Sequence, residues 1–348
     1  MSDLSKIPVT VITGFLGAGK TTLIRHLMQN PQGKRLAVLV NEFGTVGVDG
    51  EILKSCADEN CPEENIVELA NGCICCTVAE DFIPTIEALL KLPKKPDHIL
   101  IETSGLALPK PLLKAFDWPA IRSLMTVDGV ITLADAEAVA EGRFQGELTA
   151  EQIAAGEHDT PLGEVFEDQI ACADIVLLTK ADLAGEEGIA AARKVIEFEA
   201  EEKARGTLPI LAVSEGQIDP RVILGLGKAA EDDLAARPSH HDGMDGHEHD
   251  DFDSVVIDLP EQDSVDALLD AIRTLARDHK ALRVKGYVAV KGKPMRLLVQ
   301  AVGERIRHQF DKPWGTMTRA SHLVVIGEKG DIDLGAIRSV LSGKELGA

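Results

Sequence analysis

The sequence predicts an α/β fold built on a mostly parallel sheet, followed by a smaller C-terminal α+β domain. Three observations predict it. The stretch Thr13-Gly14-Phe15-Leu16-Gly17-Ala18-Gly19-Lys20-Thr21-Thr22 contains G-x-x-x-x-G-K-T, with an apolar β-branched run before it and the helical pattern Leu23, Ile24, Leu27, Met28 after it. Apolar runs of strand length then alternate with helical periodicities as far as Val213. From Pro238 the composition turns to His, Asp and Gly with no apolar period, and patterned sequence resumes at Ser254. These shifts divide the chain into a P-loop domain over residues 1–237, a His/Asp-rich mobile linker over 238–253 and a C-terminal domain over 254–348.

A chain of 348 residues with 45% hydrophobic content can fill a large core and a smaller one. Acidic side chains outnumber basic ones by 57 to 36, and the net charge of -21 repels phosphate backbones and anionic lipid. Nucleic-acid and membrane partners are therefore not expected. No apolar run approaches the roughly 20 residues that span a bilayer, and the N-terminal residues lead at once into a strand, so a cytoplasmic protein is expected. Of six cysteines, Cys73, Cys75 and Cys76 crowd together, whereas Cys56, Cys61 and Cys172 stand apart. In a reducing compartment that distribution suggests metal or redox chemistry rather than a disulfide framework.

In the glycine-rich loop, Gly17 and Gly19 let successive backbone N–H groups point at one spot, where the positive end of the next helix adds to an anion cradle. Gly14, Gly17, Ala18 and Gly19 shape the cradle, and Lys20 would reach the β- and γ-phosphates. Thr21 would give its hydroxyl to Mg²⁺, and Thr22 would lie beside the α-phosphate. A second buried strand, residues 35–40, ends in Asn41-Glu42-Phe43-Gly44. The loop that follows holds Glu42 and Asp49 as candidate metal-facing acids of a segment ordered by the γ-phosphate.

The run Gly72-Cys73-Ile74-Cys75-Cys76 comes next, with Thr77 and Glu80 at capping-box spacing before a helix expected over 79–92. A helix start favours thiolate, and two or three thiolates within reach of one another form a soft site for Zn²⁺, Co²⁺ or Cu⁺. The alternative is a closed four-cysteine zinc knot completed by Cys56 and Cys61. A third strand then runs into Glu102-Thr103-Ser104-Gly105, a Walker B position with Glu for Asp. Glu102 would hold Mg²⁺ or its water, and the Gly105 N–H would meet the γ-phosphate. Lys20 and Glu102 are thus the candidate catalytic residues.

After a further strand at 127–133, Asp135 and an acidic insertion over 141–161, a helix over 162–172 leads to the strand before Thr179-Lys180-Ala181-Asp182. This tetrapeptide is the Asn-Lys-x-Asp base-recognition pattern with Thr179 in the Asn place. A buried Asp182 carboxylate would accept from guanine N1–H and the 2-amino group, donors that adenine lacks, while the Lys180 stem packs along the base. GTP is the expected nucleotide. Residues 209–213 form the last core strand, with Ser214 placed to close over the guanine. In the linker, His240, His241, His247 and His249 are candidate weak accessory metal ligands. The C-terminal domain reads as strand 254–259, helix 264–279, strands 284–290, 295–302 and 322–326, and helix 334–341, with no chemistry visible in its sequence.

Taken together, the phosphate loop, Asn41-Glu42-Phe43-Gly44, the Cys-x-Cys-Cys element, Glu102-Thr103-Ser104-Gly105, the His-rich hinge and the C-terminal domain resemble the CobW family of P-loop GTPases over the whole chain. The text around the motifs is most similar to the branch tied to aerobic cobalamin biosynthesis. That resemblance implies a GTP-driven metallochaperone or metal insertase, with cobalt as cargo and a cobaltochelatase as the metal-receiving enzyme. It also implies that acids some relatives carry at the positions of Val40 and Thr45 are missing here. Two other classes remain open on the residues alone: a regulatory GTPase with a permanent structural zinc, and an ATP-dependent P-loop kinase or ATPase.

Overall fold

The computed structural model describes residues 6–41, 48–57, 61–69, 82–144, 161–203, 205–240, 242, 252–314 and 319–341. They fall into two compact units, the first holding the described residues of 6–41 and 49–242 and the second Val48 with the described residues from Phe252 on. The first unit opens with β1 (Ile7–Gly14), α1 (Lys20–Gln29), β2 (Leu36–Asn41), α2 (Val48–Lys54), β3 (Ile66–Leu69), α3 (Ile83–Leu90) and β4 (His98–Glu102). It continues with α4 (Pro109–Ala115), α5 (Pro119–Arg122), β5 (Met125–Asp135), α6 (Ala136–Ala140), α7 (Pro161–Cys172), β6 (Ile175–Thr179), α8 (Ala181–Glu202) and β7 (Ile210–Ala212).

Seven strands form one sheet in the order β3-β2-β4-β1-β5-β6-β7, and every described pairing in it is parallel. A parallel sheet is covered on both faces, so its central strands are near-continuous apolar runs. All six residues of β2 and all five of β4 and of β6 are buried. Side chains alternate across the sheet. Ala37, Leu39, Ile99 and Ile101 join one core with Phe82, Ile86 and Phe116, while Leu36, Val38, Val40 and Leu100 join the other with Leu23, Ile24 and Leu27 of α1. Two strands were not legible in advance. β3 has only four residues and carries Glu68 in its middle.

Polar groups are sealed in this core as well, His98 among them. His98 is fully buried, with Nε2 2.8 Å from Thr10 Oγ1 and Nδ1 without a hydrogen-bond partner. Burial pushes its pKa from 6.5 down to about 4, against a smaller opposing pull from Asp128. The unfolded chain therefore takes up a proton at this ring at a higher pH than the fold does. The neutral ring's contribution is complete above the unfolded pKa and is lost as the pH falls towards the folded one, by as much as ~3 kcal/mol. His98→Gln should flatten the fall in unfolding free energy across that acid range, measured by urea titration at a series of pH values. An unchanged slope would contradict the assignment.

The second unit contains β8 (Phe252–Leu259), α9 (Val265–Asp278), β9 (Arg283–Val288), β10 (Met295–Val302), β11 (Arg305–Pro313), β12 (Ser321–Glu328) and α10 (Leu334–Leu341). Its antiparallel sheet has the order β11-β10-β9-β12-β8. Ser264 caps α9 by accepting from the Ala267 N–H at 3.3 Å, and Leu268, Leu269, Ile272 and Leu275 of that helix enter the core with Ile337 and Leu341 of α10. The strand that sequence patterning missed here is β11. Arg307, His308, Gln309 and Phe310 are all exposed on this edge, and polar residues on both faces remove the two-residue alternation that marks a strand while protecting the edge from pairing.

Candidate functional site

The site lies at the carboxyl ends of the parallel strands. β1 ends at Gly14 and α1 starts at Lys20, so the connecting loop must turn sharply and present its amides to the helix start. Gly19, the residue before α1, has φ 98°, a left-handed conformation that a side chain would strain. The Lys20 ammonium is buried and donates to the carbonyls of Gly14 at 2.7 Å and Phe15 at 3.1 Å, which holds the loop closed around the place a phosphate would take. Thr103, just after β4, donates its hydroxyl to Thr13 Oγ1 at 2.9 Å and its N–H to the Ile12 carbonyl at 3.0 Å. Gly105 sits against the same loop so closely that a Cβ there would lie 2.6 Å from Leu16 Cδ2 and 2.7 Å from the Leu16 nitrogen.

Thr21, Asp49 and Glu102 are brought together from α1, the first turn of α2 and the end of β4. The Thr21 hydroxyl lies 3.0 Å from Asp49 Oδ1 and 2.9 Å from Glu102 Oε1, and both carboxylates are buried. Two buried carboxylates that converge on one hydroxyl repel each other unless a cation joins them, and the all-oxygen donor set suits a hard ion. The residues present therefore fit Mg²⁺.

The base-recognition segment is tied to the phosphate loop. Thr179 donates its hydroxyl to the Ala18 carbonyl at 2.7 Å, with the Ala134 carbonyl at 3.3 Å, so threonine in the asparagine place still braces the two loops. The Val213 N–H donates to the Leu178 carbonyl at 2.8 Å and the Ala181 N–H to the Val213 carbonyl at 3.3 Å, which brings Ser214 alongside. Lys180, in a left-handed conformation at φ 56°, pairs with Asp135 at 2.5 Å. Asp182 is exposed rather than buried, because it stands in the open first turn of α8; enclosure of its carboxylate would have to come from the base. Ser214 is exposed as well, whereas Gly14 and Ala18 are buried and Gly17 and Thr22 half-buried.

Cys73, Cys75 and Cys76 lie outside the described residues, as do Glu42, His241, His247 and His249. The strand that leads into the thiol segment is described. β3 ends at Leu69, and register pairs Val40 with both Glu68 and Glu102. Cys56 is half-buried and Cys61 fully buried, and both pack in the apolar cluster that contains Leu53 and Ile66. Cys172 is a core thiol whose pKa burial pushes up to about 12. Among the described residues no group of three or more His, Cys, Asp or Glu side chains is arranged to hold a metal ion.

His240 departs from expectation. Its ring is not held in a solvated linker but rests against α7, with Nδ1 2.8 Å from Asp168 Oδ1 and Nε2 3.3 Å from Glu167 Oε2. Hydrogen bonding to those two carboxylates pushes its pKa up to about 10, so both ring nitrogens are engaged and unsuited to a metal. Ser239 donates its hydroxyl to Asp168 Oδ2 at 2.5 Å, and Asp242 pairs with Lys110. The segment is thus anchored beyond Pro238, because a buried carboxylate on α7 requires donors. Besides these ties, sequence reasoning passed over two residues. Asp135 was legible only as a polar end to a strand, and Gln169 is a glutamine in an amphipathic helix, with no local signal.

Residues 8–205 match the CobW/HypB/UreG nucleotide-binding domain, and residues 252–343 match the cobalamin synthesis protein cobW C-terminal domain. A Sinorhizobium protein named zinc chaperone CobW is 47% identical, with 98% of each chain covered. The Pseudomonas aeruginosa protein of the same name is 48% identical, covering 98% of this chain and 92% of its own. The zinc chaperone YjiA of Escherichia coli is 32% identical, covering 93% of this chain and 95% of its own.

Proposed function

The chain belongs to the CobW/HypB/UreG family, and from that premise we propose that it is a GTP-hydrolysing metallochaperone whose cargo is zinc. In this reading Cys73, Cys75 and Cys76 hold the ion while GTP is bound and release it after hydrolysis. The observation that supports the coupling most directly is the row Glu68, Val40, Glu102 across neighbouring strands. At a strand spacing of about 4.8 Å, the chain enters the thiol segment roughly 10 Å from the Walker B acid. A change in the loop that follows β4 would then begin about that far from where the chain leaves β3 for the thiol segment, and both segments continue directly from paired strands.

Thr21, Asp49 and Glu102 would hold Mg²⁺, which when bound neutralises charge on the β- and γ-phosphates. Lys20 donates to the same phosphates, and the Gly105 N–H reports whether the γ-phosphate is present. Asp182 selects guanine with its two acceptor oxygens, Lys180 lies along the ring with Asp135 fixing its ammonium, and Ser214 closes the base site. ATP offers no donor pair to Asp182, which argues against the kinase reading.

Of the metals expected, zinc is proposed over cobalt for two reasons. Relatives nearly half identical over almost the full chain are named zinc chaperones, and thiolates usually bind Zn²⁺ at least as well as Co²⁺. The recipient is then a metalloprotein whose own site binds zinc more tightly than the relaxed thiolates do, and the chemistry no longer requires a cobaltochelatase. A permanent knot with Cys56 and Cys61 is disfavoured by their apolar packing. The reading is tested by zinc titration of the full chain with Mg²⁺ and either a non-hydrolysable GTP analogue or GDP.

A further inference from the structure

Two hydrogen-bonded groups on neighbouring residues of α7 face two places far apart in the sequence. The Gln169 side chain, 1% exposed, donates from Nε2 to the Gly105 carbonyl at 3.2 Å and the Ala107 carbonyl at 3.3 Å. Its own backbone carbonyl accepts from the Thr132 hydroxyl at 2.8 Å, so the amide is presented from a fixed point beside β5. Asp168, also 1% exposed, accepts from the Ser239 hydroxyl at 2.5 Å and the His240 N–H at 3.1 Å, with the His240 ring at 2.8 Å. A buried carboxylate with three donors is costly to strip.

A second tie joins the same two places. Lys110 follows the Gly105 loop at the start of α4 and pairs with Asp242 Oδ2 at 2.5 Å, and that oxygen also accepts the Ser239 N–H at 3.0 Å. Earlier in α7, Phe166 stacks on Phe144, which in turn meets the ring of Phe15 in the phosphate loop edge-on. Also facing His240 are Glu167 of α7 and Lys203, the residue after α8, themselves paired at 2.7 Å.

We propose that α7 couples the phosphate-sensing loop to the root of the His/Asp-rich segment, with Gln169 positioning the loop while Asp168 and Lys110 grip Ser239, His240 and Asp242. The proposal rests on the GTPase reading. When the Gly105 loop moves to meet a γ-phosphate, the two carbonyls on Gln169 and the start of α4 move with it, and the grip on the root changes. By linkage, loosening the root shifts the preference between GTP and GDP by the same factor.

The His240 N–H reports the grip directly, since it bonds Asp168. Amide exchange across 238–242 would be measured on the full chain with Mg²⁺ and GDP or a non-hydrolysable GTP analogue, with binding of each nucleotide titrated in the same preparation. Wild type should show a difference of about fivefold or more at His240 between the two states, the lower end of ordinary allosteric coupling. Gln169→Met should bring that ratio close to one while the nucleotides still bind, and Lys110→Met, which leaves Gln169 intact, should reduce it in part. Equal exchange in the two states of wild type, with both nucleotides bound, overturns the coupling and leaves the GTPase reading standing. Failure of either nucleotide to bind overturns the GTPase reading and the coupling with it.

Discussion

Lys20→Ala should lower the affinity for Mg²⁺-GTP by about 10²-fold or more. Charge-assisted hydrogen bonds are worth roughly 1.5–3 kcal/mol each, and the ammonium would make at least two to the β- and γ-phosphates. The substitution also removes the donor that holds the Gly14 and Phe15 carbonyls at 2.7 and 3.1 Å, so the loop itself loses its closed form. Isothermal titration, with a thermal melt to show that the variant still folds, checks the result. GTP binding at wild-type affinity would place the phosphate cradle elsewhere.

The second large effect is expected at the base. Asp182→Asn should weaken GTP by about 10² to 10⁴-fold, because a site built to accept from two guanine donors is left with an amide facing them. Xanthosine triphosphate carries a carbonyl in place of the 2-amino group, so the asparagine amide has an acceptor to meet and affinity for that nucleotide should rise in the same variant. Since Asp182 is exposed, the substitution should leave stability within about 0.5 kcal/mol. If GTP and ATP bound the variant and the wild type alike, Asp182 would not be reading the base.

The parts of this molecule legible in its sequence are those where a motif and a period coincide. The phosphate loop stands between an apolar run and a helical pattern, and β2, β4 and β6 are buried on both faces, so their apolar runs are continuous. The strands that were not legible lack that signal. β3 is short and β11 is a polar edge.

At the site, Thr21, Asp49 and Glu102 could be singled out one by one from motif order, but not the convergence of Asp49 and Glu102 on a single hydroxyl, which depends on how α2 returns to the sheet. Gln169 and Asp135 have no local pattern because their roles come from contacts with Gly105 and Lys180, distant in sequence. His240 shows the opposite error. Its neighbours in sequence are His and Asp, so composition assigns it to a solvated segment, yet its partner is a buried carboxylate 72 positions away. Composition describes an average over a window and says nothing of one residue's tertiary partner.

The central claim is that one γ-phosphate sets the affinity for cargo. The most direct measurement is the zinc dissociation constant of the full chain, obtained by competition with a chromogenic chelator, in the presence of Mg²⁺ with a non-hydrolysable GTP analogue and again with GDP. Allosteric coupling of ordinary size, on the order of 1–3 kcal/mol, predicts at least about tenfold tighter binding in the GTP-analogue state. Cobalt substituted for zinc should show a near-ultraviolet thiolate-to-metal band that strengthens in that state and weakens in Cys75→Ser, since the thiols must deprotonate to bind. Equal zinc affinity in the two nucleotide states, with equally strong thiolate bands, would contradict the account and leave a GTPase that carries a static metal site.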